Sequence, residues 1–219
     1  MSAWQRGALA ALLTTALVAS GASGDARAGT EPTALDRFLQ GLSSLRVSFT
    51  QSIIDSRGSE SDRSSGELLV LRPGRFRWDI HPSGGGAGQL LVADGRNLWF
   101  FDRDLEQVTV KPMDAALSTT PAMLLSGGTD VRQAFEVKPD GDGQGLEWVQ
   151  VTPRSATADF RAARLGFAHG ELKRMVLNDK LGQTATLEFE RSQRNAPVTL
   201  AEVSFTPPAG ADVIGTPSR

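Results

Sequence analysis

GELLVLRPGRFRW, residues 66–78, is the stretch that decides the architecture. Side chains alternate sides along a strand, so Leu68 and Val70 share one face and Arg72 is next in that row. Pro73 and Gly74 mark a turn, after which the row resumes with Phe76 and Trp78. The reading is a hairpin with one apolar face. It leaves open why an arginine interrupts an apolar row.

Working outward, the same pattern recurs. QLLVA, NLWFF, EQVTV, AFEVK, GLEWVQVT, RAARLGF, LKRMVL, TATLEFE and AEVSF are short strand-like runs, parted by turn signals such as HPSGGGAG, Asp94-Gly95, DGDGQG, AHGE and NDKLGQ. Upstream, Leu45, Val47, Phe49, Gln51 and Ile53 alternate with polar residues and predict another strand. Residues 55–65, DSRGSESDRSS, have nothing to bury and read as a polar loop. Short connections favour antiparallel neighbours, so the expected fold is mainly β, a meander of about ten or eleven strands. Two helices break it. Leu35, Phe38, Leu39 and Leu42 recur at helical spacing behind Thr33, a candidate N-cap, and predict two to three turns. In STTPAMLLSGG, Thr120 suits an N-cap, Pro121 the first helical position and Gly127 the stop, around Met123, Leu124 and Leu125.

Residues 1–28 read as a secretory signal peptide: Arg6, an apolar run over residues 7–20, and Ala26-Arg27-Ala28 as a cleavage pattern. The remaining residues 29–219 show no second domain boundary. Removing Arg6, Arg27 and Asp25 leaves 21 basic and 24 acidic residues, a net charge of −3, with no basic block for nucleic acid. Cysteine is absent, which excludes disulfides, thiolate chemistry and lipid attachment at an N-terminal cysteine. No later run is long and apolar enough to be a membrane helix. The expectation is an exported protein of the periplasm.

Catalysis has little to stand on. His81 and His169 read as turn residues outside any metal-ligand spacing, no G-x-S-x-G elbow occurs, and the aspartates cluster in turns. Neither enzyme activity nor a cofactor or metal is expected. What stands out is excess apolar surface. LLVL, LLVA and LWFF are apolar on both strand faces, whereas a single antiparallel layer alternates. Either a sandwich or closed barrel fills itself, or a curved sheet leaves a hollow for an apolar ligand, roofed by the two helices.

The ordered set of motifs resembles the LolA family of periplasmic outer-membrane lipoprotein carrier proteins. Arg72-Pro73 with Phe76-x-Trp78 matches its R-P-x-x-F-x-W signature. Phe49-x-Gln51, Asp94-Gly95 with Leu98-Trp99, Leu105-Glu106-Gln107-Val108, Leu124-Leu125, Gly182-Gln183, and Phe205-x-Pro207-Pro208 with Asp212-Val213 follow in family order. Phe101 departs from a common tyrosine, and the SGGGAG insert lengthens one hairpin.

The resemblance implies an unclosed antiparallel β-barrel with an α-helical lid. Its cavity would be lined by Leu68, Val70, Phe76, Trp78, Trp99, Met123, Leu124 and Leu125, with Leu35, Phe38, Leu39 and Leu42 in the lid. It further implies that Arg72 latches the lid by hydrogen bonds, against the plainer possibility that it snorkels to the rim. Implied partners are lipoprotein acyl chains, an inner-membrane ABC-type lipoprotein-releasing transporter and the outer-membrane acceptor LolB, with the carrier acting as a monomer. A half-barrel sensing regulator and an exported lipid-acting enzyme are the competing readings.

Overall fold

A computed structural model describes residues 31–113, 122–127, 131–156 and 158–218. The expected leader, with its cleavage site, and the capping pair Thr120-Pro121 lie outside the described residues.

A short helix, α1 (Ala34–Leu39), opens the described chain, and six strands follow: β1 (Ser44–Ile54), β2 (Glu60–Leu71), β3 (Arg75–Pro82), β4 (Gln89–Asp94), β5 (Asn97–Asp102) and β6 (Gln107–Pro112). Two further short helices, α2 (Ala122–Ser126) and α3 (Val131–Ala134), precede β7 (Phe135–Gly143), β8 (Leu146–Pro153), β9 (Phe160–Ala168), β10 (Glu171–Asp179) and β11 (Thr184–Arg194). A last strand, β12 (Asp212–Ile214), lies near the end. All twelve belong to one sheet, in the order β12-β6-β5-β4-β3-β2-β1-β11-β10-β9-β8-β7. Each half is a meander, and β1 joins them by pairing with β2 on one side and β11 on the other. The edges β12 and β7 are not paired to each other, so the barrel is unclosed.

The decisive hairpin has the expected register. Leu68 stands opposite Trp78 and Val70 opposite Phe76, on the face that enters the main core. Leu45, Val47 and Phe49 of β1 join them there. Gly66 sits opposite Phe49, and a Cβ there would lie 1.9 Å from the Asp79 carbonyl and 2.8 Å from the Phe49 ring. Only glycine lets the strands coil this tightly at that point.

Four local expectations change. Residues 60–65 are strand, not loop: β1 runs to Ile54 and offers a backbone ladder, with Ile53 opposite Asp62, that polar side chains can follow. The first helix stops at Leu39, shorter than its spacing suggested, because Gln40 turns extended and Gly41 takes φ +68. AEVSF is a turn, closed by Glu202 N–H to the Thr199 carbonyl at 3.2 Å and by the Ser204 hydroxyl to the Leu200 carbonyl at 2.6 Å. His81 lies in β3, opposite Ser65, instead of in a turn. Thr33 is the N-cap of α1 as expected, within a reciprocal capping box with Asp36.

Candidate functional site

The inner face of the sheet is apolar around both halves. Leu45, Val47, Leu68, Val70 and Phe76 from one half meet Val149, Leu165, Phe167, Met175 and Leu187 from the other. Into one end of this hollow the helices drop their own side chains. Leu35, Phe38 and Leu42 are buried there, Leu39 is partly buried against them, and Ala122, Met123, Leu124 and Leu125 fill the space beside β2 and β3. Phe38 packs on Phe167 with ring centroids 5.6 Å apart. The predicted lid residues and most predicted cavity residues are thus brought together, but as a filled core.

Arg72 lies where that core meets the helix ends. Its Nη1 donates to the Leu39 carbonyl at 2.9 Å and to the Leu42 carbonyl at 3.2 Å. Leu39 is the last residue of α1 and its carbonyl also takes the Leu42 amide at 3.2 Å, while Leu42 lies just past the helix; a cation at this end is also favoured by the helix dipole. The guanidinium lies against Gly127, where a Cβ would come within 2.2 Å of it. Gly127 itself ends α2 with φ +61, and the Gly74 amide donates to the Ser126 carbonyl at 2.9 Å. Arg72 therefore bonds α1 directly and packs under the end of α2.

Two more residues hold α1, and no sequence motif pointed to them. Arg194 Nη2 donates to the Gln40 carbonyl at 3.1 Å and lies 4.9 Å from the centre of the Phe38 ring. Asn195 Nδ2 donates to the Gly41 carbonyl at 3.1 Å. At the other end of α1, Asp36 takes Arg132 of α3 at 2.6 Å. Burial pushes the Asp36 carboxyl up, but bonds from Thr33 and Arg132 outweigh it and hold it below the usual carboxylate range.

The other end of the barrel is open. A cavity of about 370 Å³ lies there, walled chiefly by Ile53, Trp78, Ile80, Leu91, Phe100 and Phe160. Gln51, Gln183, Asp159 and Asp179 also line it, and among the described residues no lysine or arginine does. Of the predicted cavity residues, only Trp78 borders this open volume. The rest of its wall was legible in principle: Ile80 continues the Phe76, Trp78 row, and Leu91 and Phe100 stand opposite each other across β4 and β5.

Trp99 is a correction. It belongs to a second apolar cluster with Leu90, Val92, Val108 and Val110 on the opposite face of the sheet. The chain after β11 crosses this face, placing Phe205 5.7 Å from Trp99 and 5.9 Å from Phe101 between ring centroids. The Trp99 Nε1 donates to Asp94 at 2.7 Å, so the side chain is fully engaged away from the hollow. The reason is the period of two: Leu98 and Phe100 face inward, so Trp99 between them cannot.

Among the described residues no cluster of histidine and acidic side chains has metal-holding geometry. No described helix is long and apolar enough to cross a membrane.

The sequence has relatives along most of its length. A family model described as "Outer membrane lipoprotein carrier protein LolA" aligns with residues 40–206. The outer-membrane lipoprotein carrier protein of Dechloromonas aromatica (strain RCB) is 40% identical over 181 residues, 83% of this chain and 86% of the relative. The protein of the same description from Chromobacterium violaceum is 34% identical over 203 residues, 93% of this chain and 96% of the relative. A solved structure, an uncharacterized conserved protein from Thermus thermophilus, shares the fold at a TM-score of 0.53 and 17% identity, over 83% of this chain and 96% of that one. With the family model spanning both halves of the sheet and the relatives aligned along most of their length, this chain belongs to the LolA family of outer-membrane lipoprotein carrier proteins.

Proposed function

We propose that this protein is a carrier of the cell envelope that shields the acyl chains of lipoproteins from water, receives them at the inner membrane and surrenders them at the outer membrane. The observation that carries this reading is the half-filled hollow. One end is an apolar cavity, and the other is stoppered by two helices of six and five residues. Each methylene removed from water contributes about 0.8 kcal/mol, so an acyl anchor crosses an aqueous space only when covered. The open cavity of about 370 Å³ is near the small end of ligand sites, roughly 300–1,000 Å³. Taking up more chain requires the helices to withdraw the side chains that now fill the rest.

In this reading residues 1–28 direct export to the periplasm and residues 29–219 are the carrier. An inner-membrane ABC-type transporter supplies the cargo, and LolB accepts it. Arg72, bonded to the last residue of α1 and to Leu42 just after it, biases the empty carrier toward the closed form. The test is release from inner-membrane vesicles carrying the transporter and a radiolabelled lipoprotein. With ATP present, adding this protein is expected to move the lipoprotein into the soluble fraction as a one-to-one complex. A lipoprotein that stays membrane-bound under those conditions overturns the carrier reading.

A further inference from the structure

Three indoles lie among the described residues, and two of them have partners. Trp99 Nε1 donates to Asp94 at 2.7 Å, and Trp148 Nε1 donates to the Gly143 carbonyl at 3.1 Å. Trp78 Nε1 is buried and has no acceptor among the described residues, although the residue is only 6% exposed. A buried indole N–H ordinarily finds a partner, because leaving it unpaired costs free energy that folding does not recover. The Trp78 ring forms part of the wall of the open cavity. Its other close aromatic contact is edge-on to Phe49, ring centroids 5.9 Å apart, and a contact to a ring face is at best a weak substitute for an acceptor.

The surroundings restrict what the acceptor is. The cavity is lined mostly by hydrocarbon, so an occupant is apolar over most of its length. Among the described residues its charged lining groups are Asp159 and Asp179, with no cation to neutralise an anion. Asp179 is already committed, accepting from the Leu181 and Gln183 amides at 2.8 Å each. Beside the Gln51 and Gln183 amides and two carboxylates, the covered Trp78 N–H is a neutral donor that suits a neutral acceptor once the ring turns to meet it, not a carboxylate that would have to shed its water.

We propose that the Trp78 indole N–H is a polar contact for the cavity's occupant, donating to the carbonyl oxygen of an ester- or amide-linked acyl chain and so favouring such chains over free fatty acids and plain hydrocarbon. This rests on the reading of the hollow as an acyl-binding site and adds to it a chemical selection. The row Leu68, Val70, Phe76 supplies the packed floor, and Trp78 supplies a directional contact beside it.

The full chain is titrated with methyl laurate, carbon-matched tridecane and laurate at neutral pH, and its indole resonances are followed by ¹H–¹⁵N NMR. The Trp78 resonance is expected to move downfield with the ester and little with the alkane, while those of Trp99 and Trp148 stay in place. The ester should bind about three- to tenfold more tightly than the alkane, the worth of one hydrogen bond, and laurate should bind least. Trp78→Phe should retain alkane binding and lose the ester's advantage. A Trp78 resonance that responds alike to ester and alkane, or a phenylalanine variant that keeps the preference, overturns the proposal while leaving the acyl-binding reading standing. If neither ester nor alkane binds, the acyl-binding reading falls and this inference with it.

Discussion

At the scale of single residues, Arg72 is where the sequence posed a question that the structure sharpens. Its place in the row after Leu68 and Val70 was legible, because strand alternation is local. That it bonds the lid was suggested only by resemblance, and neither the Leu39 and Leu42 carbonyls it reaches nor the help it receives from Arg194 and Asn195 was legible. Those partners lie 154 positions from the carbonyls they bind, and no periodicity encodes such a meeting. Shared duty sets the size of the effect. Losing a bond from a charged donor costs about 1.5–3 kcal/mol. Arg72→Leu is therefore expected to shift the closed–open balance of the empty carrier by about ten- to a hundredfold without unfolding it. Uptake of lipoprotein should persist, and transfer to the proposed acceptor should slow, because the closed empty form no longer draws cargo out. Lysine should rescue only in part, since its ammonium ends one bond short of the Nη1 position and has no planar fork to pack against Gly127. Transfer by the leucine variant at the parent's rate removes the latch. Gly127→Ala offers an independent check with Arg72 intact: its Cβ displaces the guanidinium and strains a residue at φ +61, so it should slow transfer in the same direction.

At the scale of elements, the lid helices are too short to be stable alone. Isolated helices below about 12–15 residues are marginal in water, and α1 has six residues and α2 five. Packing and end-bonding hold them, and both are lost if the helices withdraw. Backbone amides of α1 and α2 are therefore expected to exchange faster than those of β1 and β11, and faster again when an acyl ligand occupies the hollow. Uniform protection across helices and central strands contradicts a moving lid. Strands were easier to read than their limits. β2 continues through the polar residues 60–65 because its neighbour β1 supplies the ladder, and that choice is made between strands, not within one. The coil of the sheet at Gly66 is likewise tertiary: the glycine is visible in the sequence, but the Asp79 carbonyl and Phe49 ring that require it are not. Gly66→Ala should destabilise the fold by about 1–3 kcal/mol, as overpacking does, seen as a lower urea midpoint with an unchanged slope.

At the scale of the whole molecule, the two-sided apolar strands find their explanation. LLVA and LWFF send Leu91, Ala93, Leu98 and Phe100 inward, and Leu90, Val92 and Trp99 outward. The helices meet only the inner set. The outer set is covered by the chain after β11, with Phe205 against Trp99 and Phe101, so the sheet can stay open without exposing its back. That crossing segment is pinned near its start by Glu202, which accepts from Arg46 of β1 at 2.6 Å and from the Thr199 amide at 2.8 Å. The Thr199 amide, the Arg46 guanidinium and the Thr199 hydroxyl together pull the Glu202 pKa from 4.5 down to about 2. The folded form thus binds its proton less readily than the unfolded chain. The stabilisation is complete above about pH 4.5 and is lost as pH falls toward 2. Glu202→Gln should therefore lower the thermal midpoint at pH 6, and the gap from the parent should close steadily as both are unfolded at lower pH. The side chain is partly exposed, so salt should narrow the gap at pH 6 as well. A gap as wide at pH 2.5 as at pH 6 means that the covering segment is held by Phe205 and its apolar neighbours alone, and that the carboxylate is incidental to it.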